Sequence, residues 1–301
     1  MSACSDPRRS AGATDIGSPC PVCSTPLDSG GLDWHFICPA CRYEAAALQP
    51  QINQDTAHAG LDEASRAIGL KDLRVANFRD LVARLKTFKE RGSLLEIGCA
   101  HGWFLDEAQQ LYSTCGIEPD QRILDSQVST RHNVRQGYFP AALRADETFD
   151  VIVFNDVFEH LPEVRQAVAA CRRHLNNEGL LLINLPSSTG VFYRLSKLLC
   201  RLALPSHFER MWQKGLPSPH LHYFNRRNLQ ALLATGKFSV RADGTLRSVR
   251  LKGLYRRISY ASKRGMVQNA LTCVIVAVMA LFLPLLPSDI IYLIAQKEAE
   301  S

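Results

Sequence analysis

The segment Leu94-Leu-Glu-Ile-Gly-Cys-Ala-His-Gly-Trp-Phe-Leu105 constrains this chain more than any other. Leu94, Leu95 and Ile97 make a short apolar run that stops at Gly98, as a buried strand does. Trp103, Phe104, Leu105, Ala108 and Leu111 then recur at helical spacing. A glycine turn between strand and helix lets backbone N–H groups approach a ligand closely. Glu96 stands at the strand's end, where a carboxylate can accept hydrogen bonds. Some ~20 residues further on, Gly116-Ile-Glu-Pro119 marks a second strand end with its own acid, Glu118. That spacing fits a βαβ unit whose second acid meets a ribose, although the strict Gly-x-Gly-x-x-Gly dinucleotide fingerprint is excluded.

Glu96-Ile-Gly-Cys-Ala-His-Gly102 resembles the Glu/Asp-x-Gly-x-Gly-x-Gly loop of class I S-adenosylmethionine (SAM)-dependent methyltransferases. Downstream, Phe149 to Phe154 resembles their fourth strand, and Asp156-Val-Phe-Glu-His-Leu161 resembles the acid and Glu-His-Leu pattern that follows it. The order of signals matches from about residue 75 to residue 297. The resemblance implies an α/β fold with a Rossmann-like seven-stranded sheet, to which the cysteine pairs described below add a small N-terminal zinc ribbon. It also implies roles. Glu96, Gly98, Ala100 and Gly102 would hold the methionine end of SAM, Glu118 the ribose, and Asn155 and Asp156 would face SAM or its acceptor. Ala100 replaces the family's middle glycine, which is tolerated if its φ is negative. Gly137-Tyr138 stands where many relatives have Gly-Asp, so Phe139 or Tyr138 is expected to flank the adenine, or else to be core.

Two readings of His160 stay open. It can act as a general base, since imidazole accepts a proton near neutral pH. Alternatively, Glu159 and His160 simply fix the loop by hydrogen bonds to the next helix. Further on, Pro219-His-Leu-His-Tyr-Phe224 resembles a substrate-side segment. It makes His220 a second candidate base and His222 and Tyr223 substrate contacts. Strand alternation would put His220 and His222 on one face, but no third metal ligand is evident.

Cys20-Pro-Val-Cys23 and Cys38-Pro-Ala-Cys41, separated by 14 residues, are paired knuckles that can surround one tetrahedral Zn²⁺. So short a ribbon needs a staple, and four thiolates leave no open position, which makes the role structural. His35, inside the ribbon, is read as a surface residue. The other six of the ten cysteines are scattered singly, as in a reducing compartment. Met1 to Ser18 has no apolar run and reads as a disordered tail, not a secretory signal.

The expected organisation is a tail over 1–18, the zinc ribbon over 19–45, a polar connector over 46–69 and the methyltransferase domain over 70–297. Residues 187–225 are a lid or substrate insertion, in which Val191 to Leu204 interleaves leucines with Arg194, Lys197 and Arg201. The net charge of +6 concentrates in Arg241 to Arg264, which has eight cations against Asp243 alone. An apolar segment within 254–287 follows. As a helix, 270–286 spans about 25 Å, short of the ~30 Å bilayer core. The closing run Ile290 to Lys297 resembles the family's last strand, which a single crossing would put on the wrong side. The segment therefore packs on the domain, on a partner subunit, or on one membrane leaflet beside the basic cluster.

These readings converge on a methyltransferase using SAM and structural Zn²⁺, cytoplasmic or at the inner face of a membrane, whose acceptor is small, amphiphilic or lipid-linked. An RNA methyltransferase and an inactive SAM-domain scaffold are the alternatives. Nucleic acid is disfavoured, because Arg42 is the only basic residue of 20–42.

Overall fold

The central strands of the domain are near-continuous apolar runs, which bury both faces and need helices on both sides. The computed structural model, which describes residues 14–51, 63–124, 128–249, 254 and 266–299, has this arrangement. Strands β1 (Asp28–Leu32), β2 (His35–Ile37) and β3 (Glu44–Ala46) form the N-terminal ribbon. Helix α1 (Glu63–Lys86) precedes β4 (Gly92–Ile97), α2 (Trp103–Ala108) and β5 (Tyr112–Glu118). The short helices α3 (Gln121–Ile123) and α4 (Ser129–Arg131) lead to β6 (Asn133–Gln136). Then come β7 (Phe149–Asn155), a 3₁₀ turn at Phe158–His160, α5 (Val164–His174) and β8 (Leu175–Pro186). The insertion contains α6 (Val191–Arg201), α7 (Ser206–Met211) and β9 (His222–Tyr223). The chain finishes with α8 (Arg226–Thr235), β10 (Phe238–Leu246), α9 (Met266–Phe282) and β11 (Ile290–Lys297).

Seven strands form one sheet in the order β10-β11-β8-β7-β4-β5-β6. β4 is flanked in parallel by β5 and β7, while β11 runs antiparallel between β8 and β10. Leu94, Val151, Val153 and Leu182 pack one face with Phe78, Leu81 and Phe104 of α1 and α2. Leu95, Ile97, Ile152 and Phe154 pack the other with Val164, Val168, Leu229 and Leu232 of α5 and α8. The strand order changes direction at β4, which places the open crevice at the C-terminal ends of β4, β5 and β7.

The ribbon is not a separate bead on a connector. β3 pairs with β9 of the insertion, Glu44 opposite Tyr223 and Ala45 opposite His222, making a four-stranded sheet β1-β2-β3-β9. Trp34, Ala46, Tyr193, Phe208, Trp212 and Tyr223 form a small core between ribbon and insertion. His35, expected at the surface, is fully buried there: its Nε2 lies 2.7 Å from Glu44 Oε2, which also accepts from Tyr193 (2.8 Å) and Lys197 (2.8 Å). The sequence reading missed this because the pairing joins residues nearly 180 apart, and no local pattern in 42–46 announces a partner strand.

Residues 176–179, Asn-Asn-Glu-Gly, are the irregular start of the 12-residue strand β8. Glu178 takes up the kink at φ 58°. Asp120 caps the start of α3, accepting from Arg122 N at 3.0 Å, and residues 125–127 lie outside the described residues. So do 1–13 of the tail, 52–62 of the connector, and Arg250, Lys252, Arg256, Arg257, Lys263 and Arg264 of the basic cluster. No helix among the described residues is long and apolar enough to cross a membrane.

Candidate active site

Each strand that ends at the crevice delivers one polar side chain to it. Glu96 ends β4 and is buried; its Oε1 accepts from Asn155 Nδ2 of β7 at 2.8 Å. Asn155 Oδ1 in turn accepts from Asn184 Nδ2 of β8 at 2.6 Å. The second Glu96 oxygen has no hydrogen-bond partner. Burial, offset in part by the Asn155 hydrogen bond, pushes the Glu96 carboxyl up to about 8. A cation brought to this oxygen would draw out its proton.

Glu118 ends β5 one strand away. Its Oε2 accepts from Ala100 N (2.8 Å) and its Oε1 from Asp120 N (3.0 Å), so the carboxylate holds the loop after β4 in place. Burial still raises its pKa, against those two amide hydrogen bonds. Each carboxylate oxygen keeps lone-pair capacity for a further donor.

The loop between them is a succession of left-handed residues: Gly98 at φ 66°, Ala100 at φ 45° and Gly102 at φ 73°. A Cβ on Gly98 would meet Val157 Cγ2 at 2.6 Å, and one on Gly102 would meet Val128 and His132 at 2.9 Å. Ala100 departs from the negative φ expected of it. The backbone must curl to present Ala100 N to Glu118, and alanine is the smallest side chain that can bear the cost of about 1 kcal/mol. Phe139 packs edge-on to Phe154, ring centroids 5.6 Å apart, at the edge of the core, while Tyr138 is exposed.

Asp156 is the next residue after β7 and takes φ 54°. Its N–H donates to Asn184 O (3.0 Å) and its carboxylate lies 3.5 Å from Arg74 of α1. Leu70, Leu73, Arg74, Asn77, Asp156 and Asn184 line part of a cavity of about 190 Å³ there. Thus α1 covers the crevice.

His160 donates from Nδ1 to Pro219 O at 2.8 Å. Its bond therefore reaches into the insertion, not to the helix that follows. Burial lowers the imidazole's pKa and keeps it neutral. His220 stacks edge-on to it at 4.8 Å, and the two Nε2 atoms lie 3.9 Å from Glu159 Oε1. His222 does not join this face. It is buried toward the ribbon, where Nδ1 meets Tyr43 Oη and Nε2 is 2.7 Å from Leu161 O. Tyr223 is likewise interior, donating from Oη to Met211 O at 2.9 Å. The expected substrate contacts His222 and Tyr223 are thus packing residues, because β9 is only two residues long and spends both on β3. Tyr43 and Glu44 are the partners that the sequence did not single out.

The four ribbon cysteines converge. Cys20 and Cys41 sulfurs are 3.5 Å apart and those of Cys23 and Cys38 3.4 Å apart, all four within 4.8 Å of one another. A tetrahedral Zn²⁺ with ~2.3 Å bonds needs sulfurs spaced by about 3.8 Å. The amides of Val22 and Cys41 donate to Cys20 and Cys38 sulfurs, which suits thiolates.

A family model described as a methyltransferase domain matches residues 71–242, more than half of the chain. The chain belongs to that family. Among similar proteins, a malonyl-[acyl-carrier protein] O-methyltransferase of Halalkalibacterium halodurans is 31% identical over 180 residues, covering 56% of this chain and 59% of the relative. The Bacillus cereus protein of the same name is 29% identical over 126 residues, 37% of this chain and 46% of the relative. The chain thus spans roughly half the length of the curated relatives it matches. A SAM-dependent methyltransferase structure from Thermotoga maritima superposes with a TM-score of 0.51 at 14% identity, covering 80% of this chain and 97% of that one. A Haloferax volcanii structure of a complex with a methyltransferase activator gives 0.58 at 9% identity, over 82% and 99% of the two chains. At these identities the structures bear on the fold alone. The methyltransferase-domain match and the crevice at β4, β5 and β7 lie in the same part of the chain.

Proposed function

We propose that this protein transfers the methyl group of SAM to an amphiphilic acceptor. The observation that carries the reading is the pair Glu96 and Glu118 at adjacent strand ends, bridged by the left-handed loop Gly98–Gly102, inside a methyltransferase domain. Bound SAM supplies an electrophilic methyl carbon. The chain's own contribution is placement: holding donor and acceptor in line removes most of the entropic barrier. The Glu96 oxygen without a partner would take the methionine ammonium, and Glu118 the ribose hydroxyls. Phe139 and the backbone beside it would flank the adenine, while Asn155 and Asp156 close the donor side. His160 or His220 would accept a proton if the acceptor is a hydroxyl or acidic carbon. Zn²⁺ in the four-cysteine site would fasten the ribbon and, through β3, the insertion.

The acceptor reading rests on a groove of about 1260 Å³ between ribbon, α6 and α8. Arg226 there pairs with Asp243, whereas Arg42, Arg194, Arg201 and Arg227 have no carboxylate within ion-pair distance among the described residues. Along α6 and its end, Leu195, Leu198, Leu202 and Leu204 face solvent. Val191 N donates to Pro287 O, which ties α6 to the end of the apolar α9 segment, where Phe282, Leu285 and Leu286 are also exposed. A basic groove rimmed by leucines suits an anionic, lipid-linked acceptor at a membrane surface. The names of the two bacterial relatives favour a second reading, in which an acyl-carrier protein presents the acceptor at the same groove.

The discriminating experiment uses SAM labelled in its methyl group with membrane lipid extract in one reaction and acyl-carrier protein in another. Label entering the organic phase, and lost in Arg194→Glu/Arg201→Glu, is the expected result. Label on the carrier protein instead would replace the lipid reading, and label in neither would remove both.

A further inference from the structure

A buried carboxylate and two imidazoles meet beside the 3₁₀ turn. Glu159 is 1% exposed, and neither of its carboxylate oxygens has a hydrogen-bond partner. A buried carboxylate left so costs several kcal/mol of desolvation unless a cation or proton joins it. The two atoms that face it are imidazole nitrogens, His160 Nε2 and His220 Nε2. His160 must carry its proton on Nδ1, because Pro219 O, 2.8 Å away, can only accept. Its Nε2, 3.9 Å from Glu159 Oε1, is then a lone pair. Tyr223 Oη spends its proton on Met211 O, so it accepts from His220 Nδ1 at 3.3 Å. His220 Nε2 is therefore also a lone pair, 3.9 Å from the same Glu159 oxygen, with the Gln213 amide donating to it at 2.8 Å.

All three ligand atoms lie within 4.8 Å of one another. Each histidine has its far nitrogen fixed by an oxygen acceptor, the outer-shell arrangement that orients imidazoles toward a metal. A divalent ion at ~2.0–2.2 Å from the three atoms would neutralise the buried carboxylate and take both imidazole lone pairs, displacing the Gln213 amide from His220 Nε2. Two imidazoles and one carboxylate suit zinc, iron(II), manganese or cobalt better than magnesium or calcium.

We propose that Glu159, His160 and His220 form a second metal site, for a divalent first-row transition ion, distinct from the four-cysteine site. Three protein ligands leave at least one coordination position for water or an acceptor oxygen. Only this last role rests on the methyl-transfer reading; the binding of the ion does not. In sequence the site was hidden because the expected histidine partner of His220 was His222, two residues away. The fold supplies His160 and Glu159, about sixty residues upstream, instead.

The test is metal content of the full chain, equilibrated with Zn²⁺ at neutral pH, freed of excess by gel filtration and measured by plasma mass spectrometry. Two zinc ions per chain are expected, falling to one in Glu159→Gln and in His220→Ala. Cobalt(II) added to protein holding one zinc should give the weak absorption of a nitrogen and oxygen site without sulfur charge-transfer bands. Circular dichroism and thermal melting identify any variant that fails to fold, and His160→Gln replaces it. One ion per folded wild-type chain, or two ions retained in folded Glu159→Gln, would overturn the site. Titrating SAM into the same preparation keeps the two readings apart: SAM binding with a single metal sinks the second site alone.

Discussion

At Glu96, burial makes a carboxyl behave unlike its neighbours. Its folded-state pKa of about 8 lies above the unfolded value, so it costs stability as pH rises from ~4.5 through 8. The methionine ammonium would reverse that preference. Binding of SAM at pH 7 is therefore expected to release close to one proton, read as a dependence of the calorimetric heat on buffer ionisation enthalpy, and Glu96→Gln should abolish the release. At Gly98 the loop tolerates no Cβ: Gly98→Ala combines φ 66° with a contact of 2.6 Å to Val157. It should cost about 1–3 kcal/mol in denaturant melts and weaken SAM binding. Glu96, Gly98, Gly102 and Glu118 were legible in sequence because strand ends and glycine turns are local signals. The φ of Ala100 was not, since the pull of Glu118 on its amide comes from across the crevice.

At the level of elements, the ribbon and the insertion form one device. Tyr43 and Glu44 sit just past the last knuckle cysteine and grip His222, Tyr193 and Lys197. Removing the metal by Cys38→Ser should lower Tm by ~5 °C or more. It should release the insertion to protease, while SAM affinity at the distant β4 and β5 ends changes less than about twofold. Glu44 has the opposite sign from Glu96. Although burial pushes its carboxyl up, the His35 hydrogen bond and the Lys197 charge hold it below the usual value. Its contribution is present above pH ~4.5 and is lost as pH falls through the folded pKa. Glu44→Ala, leaving Lys197 without its carboxylate, should cost about 3 kcal/mol. The cysteine spacing predicted the ribbon, yet nothing in it predicted the β3–β9 pairing, because two-residue strands carry no periodicity.

Across the whole molecule, apolar runs and their spacing located individual strands and helices, while the seven-stranded sheet and the return of the chain through β11 were what the resemblance to class I methyltransferases implied. That return also disposes of a single membrane crossing, since β11 pairs with both β8 and β10. What pattern could not supply was the meeting of Glu159, His160 and His220 at the 3₁₀ turn and the groove between ribbon and α6, both of which join residues far apart in the chain. The central claim, that the β4–β5 crevice binds SAM, is tested most directly by calorimetric titration of SAM into the zinc-equilibrated full chain and its Glu118→Ala variant. Hydrogen bonds to a charged group contribute about 1.5–3 kcal/mol. The account therefore predicts saturable, equimolar binding that is about 10- to 100-fold weaker in the variant. No heat of binding to the folded wild-type chain, or equal affinity in Glu118→Ala, would contradict it.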